Sequence, residues 1–202
     1  MNQHTRLIAA AAILGALLAG CAPKPAAEAD KAAAPAAAGP VLAASIHEIM
    51  QSEVAPNADI LWKSVGSVNN KEVKPETDED WQKLRHAAIT LSEVPNLLVM
   101  DGRQVVKAGA KVQDEGQEGN LPAAEMQTRI AADRASFVML AKGLQDAAVK
   151  AVAAVDAKNV DAISEVGGAI DEACEACHVK FWYPATAAAA AAAGAPEREA
   201  KQ

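Results

Sequence analysis

The chain has 202 residues, 51% of them apolar and only 3% aromatic, and its 26 acidic residues outnumber 19 basic ones for a net charge of −7. That balance argues against nucleic acid and suits either a basic protein partner or plain solvation. Once the segments at both ends that have little to bury are set aside, the length is enough for one domain.

Residues 1–20 carry one positive charge, Arg6, before an apolar run from Leu7 to Ala19. This is the pattern of an export signal, too short to be a dedicated membrane span. The order Leu18-Ala19-Gly20-Cys21 resembles the lipobox of bacterial lipoproteins. The resemblance implies cleavage before Cys21, lipid on its sulfur and new amino group, and sorting to the outer membrane, since Ala22 rather than Asp follows. The expected location is therefore the bacterial periplasm, anchored through Cys21; the plainer alternative is a signal for soluble export. Loss of Arg6 with the signal makes the mature chain one unit more negative. Residues 21–40 are Ala- and Pro-rich and read as a flexible tether. Residues 185–202 are alanine-rich without larger apolar side chains and read as a disordered tail, leaving 41–184 as the folded domain.

Within 41–184 the apolar spacing predicts helices. Leu42, Ile46, Ile49 and Met50 share a face in a first helix running from Val41 to Trp62, with Pro56 expected to kink or interrupt it and Asn57 to recap it. Lys63–Glu76 reads as a loop. Thr77 and Asp80 form a capping-box pattern ahead of Trp81, Leu84, Ala88, Leu91 and Leu98, with a kink expected at Pro95. Asp101–Gly119, with four glycines, is a second long connection, and its acidic stretch Gln113–Gly119 reads as solvated rather than as a cation site. Asn120 as cap and Pro122 in the first turn open a third helix whose stripe runs Met126, Ile130, Phe137, Leu140, Leu144, Ala148, Val152 and Val155. Asn159 caps a fourth, carrying Ile163, Val166, Ile170, Cys174 and Cys177. No alternating strand pattern is evident. The fold class expected is all-α, an antiparallel four-helix bundle.

The fourth helix ends in Cys174-Glu175-Ala176-Cys177-His178. A Cys-X-X-Cys-His run has three readings: a redox disulfide, part of a zinc site, or covalent attachment of a c-type haem. Reactive Cys-X-X-Cys pairs sit at helix N-termini, where the dipole lowers the thiol pKa, and this pair is near a C-terminus. Zinc would need further ligands, and His47 and His86 are scattered. On a helix both sulfurs and the imidazole face one side, which suits a flat macrocycle held through two vinyl groups and coordinated by the histidine. Covalent haem is the reading the residues favour.

A four-helix bundle with this motif on its last helix resembles the cytochrome c prime superfamily and its low-spin c-556 relatives. The resemblance covers 41–184 and implies one haem c, with Cys174 and Cys177 as thioether anchors and His178 as proximal iron ligand. It also allows a homodimer. Many members carry a basic residue four positions after the histidine; here that position is Trp182, with Lys180 two after the histidine, and the run Phe181-Trp182-Tyr183-Pro184 reads as packing that ends the helix. In c-556-like members a first-helix methionine is the distal ligand, which would be Met50; on residues alone Met50 reads equally as core filler. His47, one turn earlier, would give bis-histidine iron. Met100, Met126 and Met139 are expected to pack and His86 to face solvent.

The resemblance implies electron transfer in the cell envelope with a redox partner protein, for which the acidic charge balance suits a basic one, and the lipobox implies a membrane contact through the lipid. The alternative is a five-coordinate protein binding small gases such as NO or CO. No nucleophile with a base, no paired carboxylates in an apolar setting and no phosphate loop is evident, so an enzyme is not expected.

Overall fold

A computed structural model describes residues 39–184, and these are predominantly helical, as the all-α reading requires. The signal, Cys21, most of the tether and the tail lie outside the described residues. The helices are α1 (Ile46–Ile49), α2 (Ala55–Trp62), α3 (Asp78–Leu98), α4 (Ala123–Ala132), α5 (Arg134–Asp156) and α6 (Val160–Phe181), and a π-helical segment, Met50–Val54, joins α1 to α2.

The first helix starts later than Val41. Ser45 caps it through a reciprocal box: its hydroxyl accepts from the Glu48 N–H at 3.2 Å, and the Glu48 carboxylate accepts from the Ser45 N–H at 2.9 Å. The α-helix is interrupted ahead of Pro56, as expected, but by a widened turn rather than by a chain break. A proline inside an α-helix lacks the N–H for the carbonyl four residues back and its ring crowds that carbonyl. Here the turn just before it widens, the Ala55 N–H reaching Met50 O, so that Pro56 falls in the first turn of α2. Asn57 does not recap; its side-chain amide donates to Glu53 O at 2.7 Å.

Lys63–Glu76 is not all loop. It holds a hairpin, β1 (Gly66–Val68) with β2 (Lys71–Val73), turned by Asn69 and Asn70 at φ of 52° and 61°. Two successive residues with positive φ make the type I′ turn that matches strand twist, and asparagine tolerates it.

Thr77 and Asp80 make the expected capping box on α3. Pro95 lies inside α3 and is buried; near it, Gln145 of α5 donates to Ser92 O at 2.9 Å, attaching α5 to the turn the proline disturbs.

The expected long third helix is two. Asp133, at φ −131° and ψ 56°, leaves helical geometry and caps α5 by accepting from the Ser136 N–H at 3.2 Å. It also pairs with Lys180 of α6 at 2.6 Å, and Lys180 together with the Ser136 hydrogen bonds holds its carboxyl below the usual range. Pro122, not Asn120, is the N-cap residue of α4, while Asn120 donates to Asp114 O at 3.1 Å.

α3 packs on α5, α5 on α6, and α2 on both α3 and α6. Leu91, Ala88, Ala148 and Ile170 are fully buried where these faces meet, and each large side chain so buried contributes roughly 1.5–3 kcal/mol. α5 offers mainly alanines to its neighbours (Ala147, Ala148, Ala151, Ala154), which allows close approach of the backbones. Trp62 at the end of α2 donates to Gly167 O on α6 at 2.9 Å, and a Cβ on Gly167 would stand 3.4 Å from the indole.

The connection between α3 and α4 is tied down over the start of α1. Ile46 and His47 donate to Gln104 O and Val105 O, both at 2.9 Å, satisfying N–H groups that a helix start leaves open. Arg103, 8% exposed, donates to Leu97 O at 2.6 Å and to Ala44 O.

Candidate functional site

The core stripe of α6 carries straight into the motif. Ile163, Val166 and Ile170 are buried, and Cys174 and Cys177 continue at the same spacing, packed against the core cluster. Asn159 starts this register by accepting from the Ala162 N–H at 3.0 Å. The helix closes just past the histidine, where the Trp182 and Tyr183 N–H groups both reach His178 O, at 2.8 and 3.1 Å.

Two cavities flank the motif. The larger, about 230 Å³, is lined by Cys174, Cys177 and His178 from α6, by Val54, Ala58 and Trp62, and by Leu98, Phe137 and Leu144. The smaller, about 70 Å³, is lined by Ile46, His47, Val105, Val112, Met126, Ile130 and Trp182. Four residues border both: Met50, Phe137, Cys177 and His178. The sequence-predicted Cys174, Cys177, His178 and Met50 thus come together, and Met50 does so from the first residue of the π segment. Single π turns occur often at functional sites.

Burial pushes the Cys174 thiol up to about 11, aided by Asp171 and Glu175, and the Cys177 thiol up to about 12, aided by Cys174. Both are therefore protonated at neutral pH, unlike the thiolates that attack disulfides or bind zinc. Burial lowers the His178 pKa, opposed in part by Glu175, so the imidazole is neutral with a lone pair to offer. Among the described residues no three His, Cys, Asp or Glu side chains converge as they would on a bare cation.

Aromatic rings close the end of the site. Trp182 meets His178 edge to face, ring centres 5.1 Å apart, and Tyr183 stands 6.0 Å from the imidazole. The Tyr183 hydroxyl donates to the Glu175 carboxylate at 2.6 Å. The Trp182 Nε1–H is buried, and among the described residues it is the one buried side-chain nitrogen or oxygen without a hydrogen-bond partner. The run from Phe181 ends the helix and packs, and Tyr183 adds its hydrogen bond to Glu175.

His47 borders the smaller cavity with its Nε2 already accepting from the Gln113 N–H at 3.3 Å. Met126 lines that cavity too, and Met100 Sδ accepts from Arg103 at 3.2 Å. Met139 does not pack: it is 64% exposed, because it sits one position before the α5 stripe residue Leu140. His86 is exposed, as expected. In the acidic loop Asp114 is engaged by Gln117 at 2.9 Å and Glu115 by Lys111 at 3.6 Å.

Sequence reasoning placed Phe137 in the core without marking it as a site residue, and it passed over Gly167 and Gly168. Adjacent glycines inside a strong helical pattern were the available signal for a close approach, here by Trp62.

No protein-family model, curated protein or solved structure matches this chain.

Proposed function

We propose that residues 41–184 form an antiparallel four-helix bundle of the cytochrome c prime and c-556 kind, carrying one covalent haem c and exchanging electrons in the bacterial cell envelope. The first helix with its π segment, α3, the α4–α5 pair and α6 would be the four members, a grouping supported by the packing of α3 on α5, α5 on α6, and α2 on α3 and α6.

The observation that carries the reading is that Cys177, His178 and Met50 border the same two cavities, with Cys174 on the larger. The residues present suit the group: an apolar lining for a flat macrocycle, two protonated thiols for its vinyl carbons, a neutral imidazole and a thioether. When bound, haem c supplies a one-electron ferric/ferrous couple. Cys174 and Cys177 would hold it as thioethers, His178 would be the proximal ligand, and Met50 the distal one, a thioether that favours ferrous iron. Phe137, Val54 and Leu144 would keep water from the site. Asp171, exposed at the edge of the larger cavity, adds negative charge there, which supports a basic redox partner. The anchor would be the lipid on Cys21; labelled fatty acid incorporated into the native chain and lost in Cys21→Ser tests it.

The test of coordination is an absorption spectrum of the full chain, oxidised, reduced, and reduced under carbon monoxide. Sharp low-spin bands without a carbon monoxide response are expected. Broad high-spin bands with prompt carbon monoxide binding would overturn Met50 ligation and move the function to gas binding.

A further inference from the structure

The unpaired Trp182 nitrogen is not accounted for by packing. A buried N–H without a partner loses its water and gains nothing in return, and native structures rarely leave one uncompensated. The indole is also held in place. The Trp182 N–H donates to His178 O at 2.8 Å, its carbonyl accepts from the Leu121 N–H at 2.8 Å, and its ring rests on His178 and Tyr183 with centres 5.1 and 5.5 Å away.

The polar residues that share a cavity with Trp182 have their acceptors engaged or assigned. The cavity that Trp182 lines is apolar apart from His47 and His178. His47 Nε2 accepts from Gln113, His178 O receives two N–H groups, and the His178 imidazole lone pair is the one that the haem reading assigns to iron. A group that fills the cavity lined by Trp182 can bring the missing acceptor.

We propose that the Trp182 Nε1–H donates a hydrogen bond to a propionate carboxylate of the bound haem, making Trp182 a positioning residue for the cofactor. The assignment rests on the proposal that the chain carries haem. Of the groups a haem presents, the pyrrole nitrogens are taken by iron and the vinyl carbons by cysteine, so the carboxylates are the free acceptors. An indole N–H serves a carboxylate without adding a charge to a poorly solvated site, and a bond to an ionised acceptor is stronger than one between neutral groups.

The test uses the full haem-loaded chain and Trp182→Phe, which keeps a ring against His178 and removes the donor. Haem content is read first, by absorbance that survives acid-acetone extraction. The propionate-bending bands in the resonance Raman spectrum are then compared between native and variant. In native ferrous protein labelled at the indole nitrogens, the Trp182 resonance is tracked as pH is lowered; this needs no variant beyond assignment. Shifted propionate bands in Trp182→Phe are expected, together with a deshielded Trp182 N–H that moves as the propionate protonates. Full haem content with unchanged bands and a pH-insensitive indole resonance overturns this assignment and leaves the haem reading standing. A native chain without covalent haem overturns both. Should Trp182→Phe fail to accumulate, the Trp182 resonance is assigned by elimination with Trp62→Phe and Trp81→Phe, and its pH response decides.

Discussion

Met50 and His178, from the first and last helices of the described chain, border the same two cavities, with Phe137 and Cys177 bordering both as well. Nothing in the hydrophobic pattern requires these two side chains to share a space. A π segment opens at Met50. Met50 lies four residues after Ile46 and one after Ile49, on the face they share, and the extra residue in the turn that follows rotates the α2 side of the helix relative to it.

If Met50 holds iron, Met50→Ala opens the distal side. The variant is expected to turn from low to high spin and to bind carbon monoxide, whereas His47→Ala, whose Nε2 is engaged by Gln113, should leave the bands in place. Stopped-flow mixing with carbon monoxide separates the two; a response in His47→Ala and none in Met50→Ala would reverse the ligand assignment.

Asn159 sets the register of α6 through one cap bond. Asn159→Ala is expected to lower unfolding free energy by about 1 kcal/mol, the usual worth of an N-cap. Urea denaturation at constant slope checks it, and an unchanged midpoint would mean that core packing alone fixes the helix start.

Gly168 is exposed within α6, and a Cβ there meets nothing within 4 Å. Gly168→Ala should therefore stabilise by roughly 0.5–1 kcal/mol through helix propensity. Gly167→Ala, whose Cβ would touch Trp62, should gain less. Thermal melts of the pair of variants make the comparison.

Lys107 and the Ser45 box hold the Glu48 carboxyl down at about 2, far below its ordinary value. Because the folded pKa is depressed, the stabilisation from Glu48 is present above the unfolded carboxylate pKa and is lost as pH falls through about 2. Glu48→Gln should be less stable than native at pH 7, and the gap should close as pH falls from about 4 toward 2. A gap independent of pH would show that shape rather than charge matters at this cap.

Much of the fold could be read locally. α3, α5 and α6 declare themselves by spacing, and Thr77 and Asn159 by cap chemistry, because those signals lie within a few residues of each other. The break at Asp133 could not be read, since its ion pair is with Lys180, distant in sequence, and an aspartate inside a periodic stretch gives no sign of it. Pro56 announces a disturbance but not whether the helix ends or widens. The Asn69-Asn70 turn read only as part of a loop, because its strands are three residues each and too polar to show alternation. At the site, Cys174, Cys177 and His178 come from a local motif. Met50 was legible only as one residue of an apolar stripe, because its meeting with His178 joins distant parts of the chain, and the unsatisfied Trp182 nitrogen is a property of its surroundings.

The most direct measurement is the intact mass of the full chain, produced alongside haem-attachment machinery, set against Cys174→Ala/Cys177→Ala made the same way. The account predicts that the native chain gains the mass of one haem, retained through denaturing acid-acetone extraction, and that the double variant does not. A native chain at bare polypeptide mass, or equal retained haem in both proteins, would contradict it.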